Sequence, residues 1–168
     1  MKDERKFSYK RFRTAAYITI VGSAVWTIAI ILPFAPFSYL PPLMIGGGPG
    51  TWFLLAYILY VAVGIGGIGA LSAFLFAIET CERRILNDSI MLPGLVLLYL
   101  GMTLGCVLLG IAGAVGGYAL TVQHSTVNAT QTLLSPFVNP ITLASLGAVA
   151  GAGLSVYGMV TGSKAPPN

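Results

Sequence analysis

The sequence predicts an all-α, polytopic integral membrane protein with four transmembrane helices in two hairpins and both termini cytoplasmic. Three observations lead there. First, charge is scarce. Asp, Glu, Lys and Arg make up 8% of the 168 residues, whereas a soluble domain carries about 25% because water must wet its surface. Second, the charge is bunched. Residues 14–78 and 89–163 contain no Asp, Glu, Lys or Arg, and a single charged cluster, ETCERRILND at 79–88, separates them. Third, the basic residues share one side. Six of the nine Lys and Arg precede residue 14, Arg83 and Arg84 lie in the central cluster, and Lys164 is near the end. Four crossings put all nine on one face of the membrane, as positive-inside placement requires.

Length argues for a single domain, residues 1–168. A mean hydropathy of +0.85 agrees with the membrane assignment. The net charge of +4 and isoelectric point near 9.2 read as a topology signal and as attraction to anionic headgroups. No nucleic-acid partner is expected; the lipid bilayer is.

The elements follow in order. Residues 1–13 form a basic cytoplasmic arm, with Tyr9 and Phe12 at the headgroups. The apolar run after it is longer than a signal-peptide core, and no small-x-small cleavage site follows, so it is expected to be a retained span. That first span covers 14–34, since about twenty residues at ~1.5 Å each cross a ~30 Å hydrocarbon core. Trp26 lies inside it and is expected to pack on a neighbour. Pro33 and Pro36 end it, because proline lacks a donor and clashes with the preceding turn.

Residues 35–50, the first outer loop, hold four prolines and four glycines with no charge. Their apolar side chains predict a segment folded back on the end of the bundle. The second span covers 51–78, with Thr51 as its cap. The inner loop 79–88 follows, where Glu79 and Arg83 stand at i and i+4 for an ion pair and Asn87, Asp88 and Ser89 offer caps.

The third span covers 89–121, with Pro93 suited to a first helical position; its length requires tilt or projection beyond the membrane. The polar stretch 122–139 is the second outer loop. The fourth span covers 140–162, with Asn139 as cap and Pro140 at the first helical position.

Small residues mark the expected helix contacts. Gly66, Gly69 and Ala73 on the second span, Gly101, Gly105, Gly113 and Gly117 on the third, and Gly147, Gly151 and Gly158 on the fourth recur at helical spacing. Such residues let two backbones approach closely.

Residues for chemistry are few. No catalytic, cofactor-binding or metal-binding set is expected. Glu79 is the acid closest to the membrane; a proton or cation path is one reading, and an interfacial ion pair with Arg83 the favoured one. His124 is the sole histidine, so a haem held by two histidines of this chain is excluded by count, and its polar neighbours are poor metal companions. Asn128-Ala129-Thr130 is an N-glycosylation triplet of low specificity. Cys81 and Cys106 fall at different expected depths, and no CxxC pair exists. The glycine tracts lack the GxxxxGK[ST] pattern and strand–helix context of a phosphate loop.

The stretch GGGPGTWFLLAY, followed by VGIGGIGA, resembles the small four-helix accessory subunits of archaeal membrane oxidase, monooxygenase or respiratory assemblies. The resemblance includes no catalytic motif, and no ligand residue carries over from it. It implies a supporting subunit beside a metal-bearing partner. The function expected is therefore a non-catalytic accessory subunit of a larger membrane complex, with other membrane protein subunits as partners in a homo- or hetero-oligomer. A small oligomeric transporter or channel, with glycine-rich helices lining its pore, is the alternative.

Overall fold

A computed structural model describes residues 8–164. Four helices are long and apolar enough to cross a membrane: α1 (Ser8–Ile31), α3 (Gly50–Cys81), α4 (Asp88–Thr121) and α5 (Val127–Val160). A short α2 (Leu40–Ile45) lies between α1 and α3. Two residues after α3, β1 (Arg84–Ile85) pairs antiparallel with β2 (Ser163–Lys164), which follows α5. This small bridge is the one departure from an all-helical chain among the described residues.

The helices stand side by side in the order α1, α3, α4, α5. Toward the charged end, α1, α3 and α4 share a core of Phe12, Ile68, Leu75, Met91, Leu95 and Leu98. Leu, Ile, Val, Phe and Tyr side chains cover the outward faces, with Val21, Val25, Phe74, Leu104, Leu143 and Val149 among those most exposed. In water such a surface would be strongly unfavourable; in hydrocarbon it is the expected one.

Several expected boundaries move. Helix α1 already runs at Ser8, so 8–13 is part of the first helix and not an arm; residues 1–7 lie outside the described residues. Phe12 is 1% exposed, packed into the core. The second helix continues to Cys81, three residues beyond 78, and the inner connection shrinks accordingly. Thr51 does not cap α3. Pro49 holds the cap position, and the Thr51 hydroxyl donates back to the Gly48 carbonyl at 2.7 Å.

The largest difference is at 122–139, expected as a loop. Only 122–126 connect α4 to α5. Thr126 is the cap, its hydroxyl oxygen accepting from the Ala129 amide at 3.3 Å. A helix that has started there runs through Asn139, so Pro136 and Pro140 become internal positions. Each proline removes one amide donor. Pro93 is likewise inside α4, which begins at Asp88 with Asn87 as its cap, accepting from the Ser89 amide at 3.0 Å. Pro93 lies in the second turn of α4, whereas Pro136 and Pro140 lie nine and thirteen residues into α5.

Backbone proximity explains the α4–α5 hairpin. Added carbons at Gly101 and Gly151 would strike the backbones of Ala148 and Leu98. At Gly94 the added carbon would lie 2.8 Å from the Ser155 hydroxyl. Gly105 faces Ala144 at 3.6 Å, and Gly158 receives the Met91 sulfur. Farther along α4, Gly113 meets Phe53 and Gly117 meets Gly50, seating the start of α3. Gly66, Gly69 and Gly147 differ. An added carbon at each meets nothing within 4 Å, and Ala73 is exposed as well. Helical spacing identifies a face, but not which way the face turns.

Overpacking a helix contact typically costs about 1–3 kcal/mol. Gly101→Leu should lower resistance to unfolding in mixed micelles by about that amount. Gly147→Leu should leave it unchanged.

Candidate functional site

Two features stand out: a polar knot at the charged end and an apolar cleft at the other.

The knot is built from α1, the end of α3 and the start of α4. The carboxylate of Glu79 accepts from the amides of Ser8 at 2.9 Å and Tyr9 at 3.1 Å. These are the first described amides of α1. A negative charge is favoured there by the helix dipole as well. The expected pair with Arg83 is absent. Helix α3 stops at Cys81, and Arg83 takes a φ of 52°, which removes it from the i+4 position.

Asp88 completes the knot. Arg11 donates to its two oxygens at 3.2 and 3.1 Å, and the Ser8 hydroxyl adds a third bond at 3.3 Å. Both side chains are partly exposed, so the pair contributes little by itself; its role is to fix where α1 meets α4. The Ser72 hydroxyl donates to the Tyr9 carbonyl at 3.1 Å, and the Tyr9 ring meets Phe76 edge-on at 5.2 Å. Sequence reading isolated Glu79 but missed Ser8, Arg11, Ser72 and Asp88 as its companions. Those contacts join residues more than sixty positions apart, which no local spacing reveals.

At the opposite end, His124 is exposed in the α4–α5 turn with a φ of 52°. It stands far along the chain from the Glu79 knot and shares no contact with it. Asn128 is exposed on the first turn of α5, and Thr130 is 2% exposed with its hydroxyl donated to the Thr126 carbonyl at 3.1 Å. The triplet therefore sits on a helix rather than in a loop. Cys81 is exposed and Cys106 buried, both free. Among the described residues no group of three or more His, Cys, Asp or Glu could hold a metal ion.

The cleft has a volume of about 840 Å³. The end of α1, the 35–43 segment and the half of α4 remote from the charges wall it, with Leu133 of α5 at one side. Trp26 forms its inner wall, packed against Phe53 at 5.7 Å and Tyr60 at 5.5 Å. A smaller cleft of about 370 Å³ lies between α3, α4 and α5, beside Val63, Met102 and Cys106. It adjoins Tyr60–Gly67, where α3 widens to a π-helix. Gly64 in that turn packs against Thr19 of α1 and the Met102 sulfur. Neither cleft is lined by a charged side chain, so both suit apolar groups rather than acid–base chemistry.

No protein family, curated protein or solved structure matches the chain.

Replacing a capping side chain with alanine costs about 0.5–2 kcal/mol. Glu79→Ala should lower stability by that much and speed hydrogen exchange at the Ser8 and Tyr9 amides. Arg83→Ala should change neither. Equal effects of the two substitutions would contradict the assignment of Glu79 to α1.

Proposed function

We propose that the chain is a non-catalytic structural subunit of a larger membrane protein complex, with both termini cytoplasmic. The observation that carries this reading is the outward turn of glycine and alanine. A carbon added at Gly66, Gly69 or Gly147 meets nothing within 4 Å, and Ala73 is exposed. Hydrocarbon does not drive helices together, so close association depends on small residues that admit a neighbouring backbone. A monomer surrounded by lipid has no use for such a face, whereas a partner helix does. Helix α5 supports the same reading: only 17% of its most apolar stretch is buried. The resemblance of GGGPGTWFLLAY and VGIGGIGA to accessory subunits of oxidase, monooxygenase or respiratory assemblies points to that kind of complex.

The orientation rests on charge. Arg11, Arg13, Arg83, Arg84 and Lys164 belong to the end where α1 begins, α3 stops and α5 finishes, and basic residues favour the cytoplasmic side.

One observation favours a second reading, a small oligomeric transporter. π-Helical turns concentrate at functional sites, and the one at Tyr60–Gly67 borders the smaller cleft.

Extraction in mild detergent should bring the chain out bound to other membrane subunits. Gly69→Leu should weaken that association while leaving helical content and unfolding unchanged, because a carbon added at Gly69 meets nothing within 4 Å in the monomer. A stable lone monomer in native membranes would contradict the proposal. Solute flux through vesicles containing only this chain would favour the transporter instead.

A further inference from the structure

We propose that the larger cleft, at the end remote from the charges, holds the hydrocarbon tail of a membrane lipid. The inference goes beyond a structural role and uses only the placement of the helices in a bilayer.

Depth is the first argument. Counted from Ile90, just past the polar knot, about twenty helical residues fill a ~30 Å hydrocarbon core. They end near Leu109. The cleft follows α4 from Val107 to Ala119, with Gln123 at its far lip. It therefore opens within the hydrocarbon layer and runs about 18 Å along the helix, about 15 Å of it past the layer's edge. A tail enters it from the bilayer without crossing water.

Chemistry is the second. Trp26, Phe37, Leu43, Phe53 and Leu133 present ring and aliphatic surface, and no charged group lines the walls. Polar atoms are few and sit toward the far end: the Gln123 amide and the hydroxyls of Tyr39 and Tyr118, whose rings meet edge-on at 5.8 Å. An amphiphile with its tail toward Trp26 and its head toward Gln123 matches that gradient. Apolar walls projecting past the hydrocarbon edge also need a cover, because water there is unfavourable.

Size separates a tail from a helix. The volume of about 840 Å³ lies within the roughly 300–1,000 Å³ of small-molecule sites. A partner helix of ~10 Å diameter running beside the same ~18 Å would occupy about 1,400 Å³. It would seat only in part, whereas a tail fits inside.

The chain has two tryptophans, Trp26 in the cleft and the exposed Trp52. Trp52→Phe leaves Trp26 as the sole reporter. The protein is placed in vesicles with increasing fractions of phospholipid brominated on its tails, since bromine quenches a tryptophan it touches. The expected result is quenching of Trp26 that saturates while brominated lipid is still a minor component. Ala114→Phe, which fills the cleft from α4, and separately Leu133→Phe, from α5, should remove the saturable part. Trp26→Phe leaves Trp52, whose quenching should rise in proportion to the brominated fraction. The proposal is overturned if Trp26 behaves like Trp52 and neither filling substitution matters. It is also overturned if Trp26 is not quenched at any fraction, the outcome expected for a cleft closed by protein.

Discussion

Hydrocarbon offers no hydrogen-bond partner, and this constraint shapes most of the molecule. Every buried donor must find an acceptor inside the protein. Several hydroxyls of the long helices meet the requirement locally, while Ser23 Oγ and Thr103 Oγ1 are buried with no partner among the described residues. Thr19 donates to the Ala15 carbonyl, Thr27 to Ser23, Thr121 to Gly117, Ser145 to Ile141 and Ser155 to Gly151, all between 2.7 and 2.9 Å. They thereby cease to be candidates for a polar path through the bundle. Helix ends cannot satisfy themselves in this way, and the scarce charged residues gather where α1 begins. Glu79 and Asp88 belong to the only acidic cluster beyond residue 4. Both point at α1, one at its first described amides and one at Arg11. The central cluster is thus a clamp across the chain's first helix as well as a loop between hairpins.

The same solvent explains the uneven use of glycine. Without a hydrophobic force between helices, contact depends on backbone approach and dispersion. Where α4 meets α5, Gly94, Gly101 and Gly151 bring carbonyl and amide groups of facing turns almost together. Where α4 meets α3, Gly113 and Gly117 do so again at the far end. Helix α4 is consequently the central element: it carries the hairpin on one side and both earlier helices on the other. Glycines that turn outward on α3 and α5 extend the same chemistry to the exterior, which is why a neighbouring protein is a natural occupant there. The aromatic cleft at the far end is different in character. It is broad, lined by rings, and continuous with the hydrocarbon.

Much of this was legible in the sequence. Two long uncharged runs, a charged divider and one-sided basic residues suffice to place four helices. Helix ends were less legible, for two identifiable reasons. Polarity at 122–139 reflects where α5 emerges from the apolar region, not where it unwinds, because a helix satisfies its own backbone in either solvent. Pro93, Pro136 and Pro140 read as starts by local preference, yet Asn87 and Thr126 cap the helices earlier and the prolines are carried inside. The polar knot was only half visible. Glu79 stood out by its position, but its partners depend on the antiparallel course of α1 and α3, which brings Ser8 to the end of the second hairpin arm. The cleft was less visible still, since it combines α1, the 35–43 segment and α4 through contacts that no motif encodes.

The account depends most on the charged end and the α4–α5 turn lying on opposite sides of the bilayer. Cys81 is exposed at the charged end and Cys106 is buried, so the native chain already carries one reporter. Asn128→Cys places a second thiol on the first turn of α5. A membrane-impermeant maleimide added to intact cells should label that introduced thiol and leave Cys81 untouched until the membrane is opened. Labelling of both positions from the same side would contradict the fourfold crossing on which the rest is built.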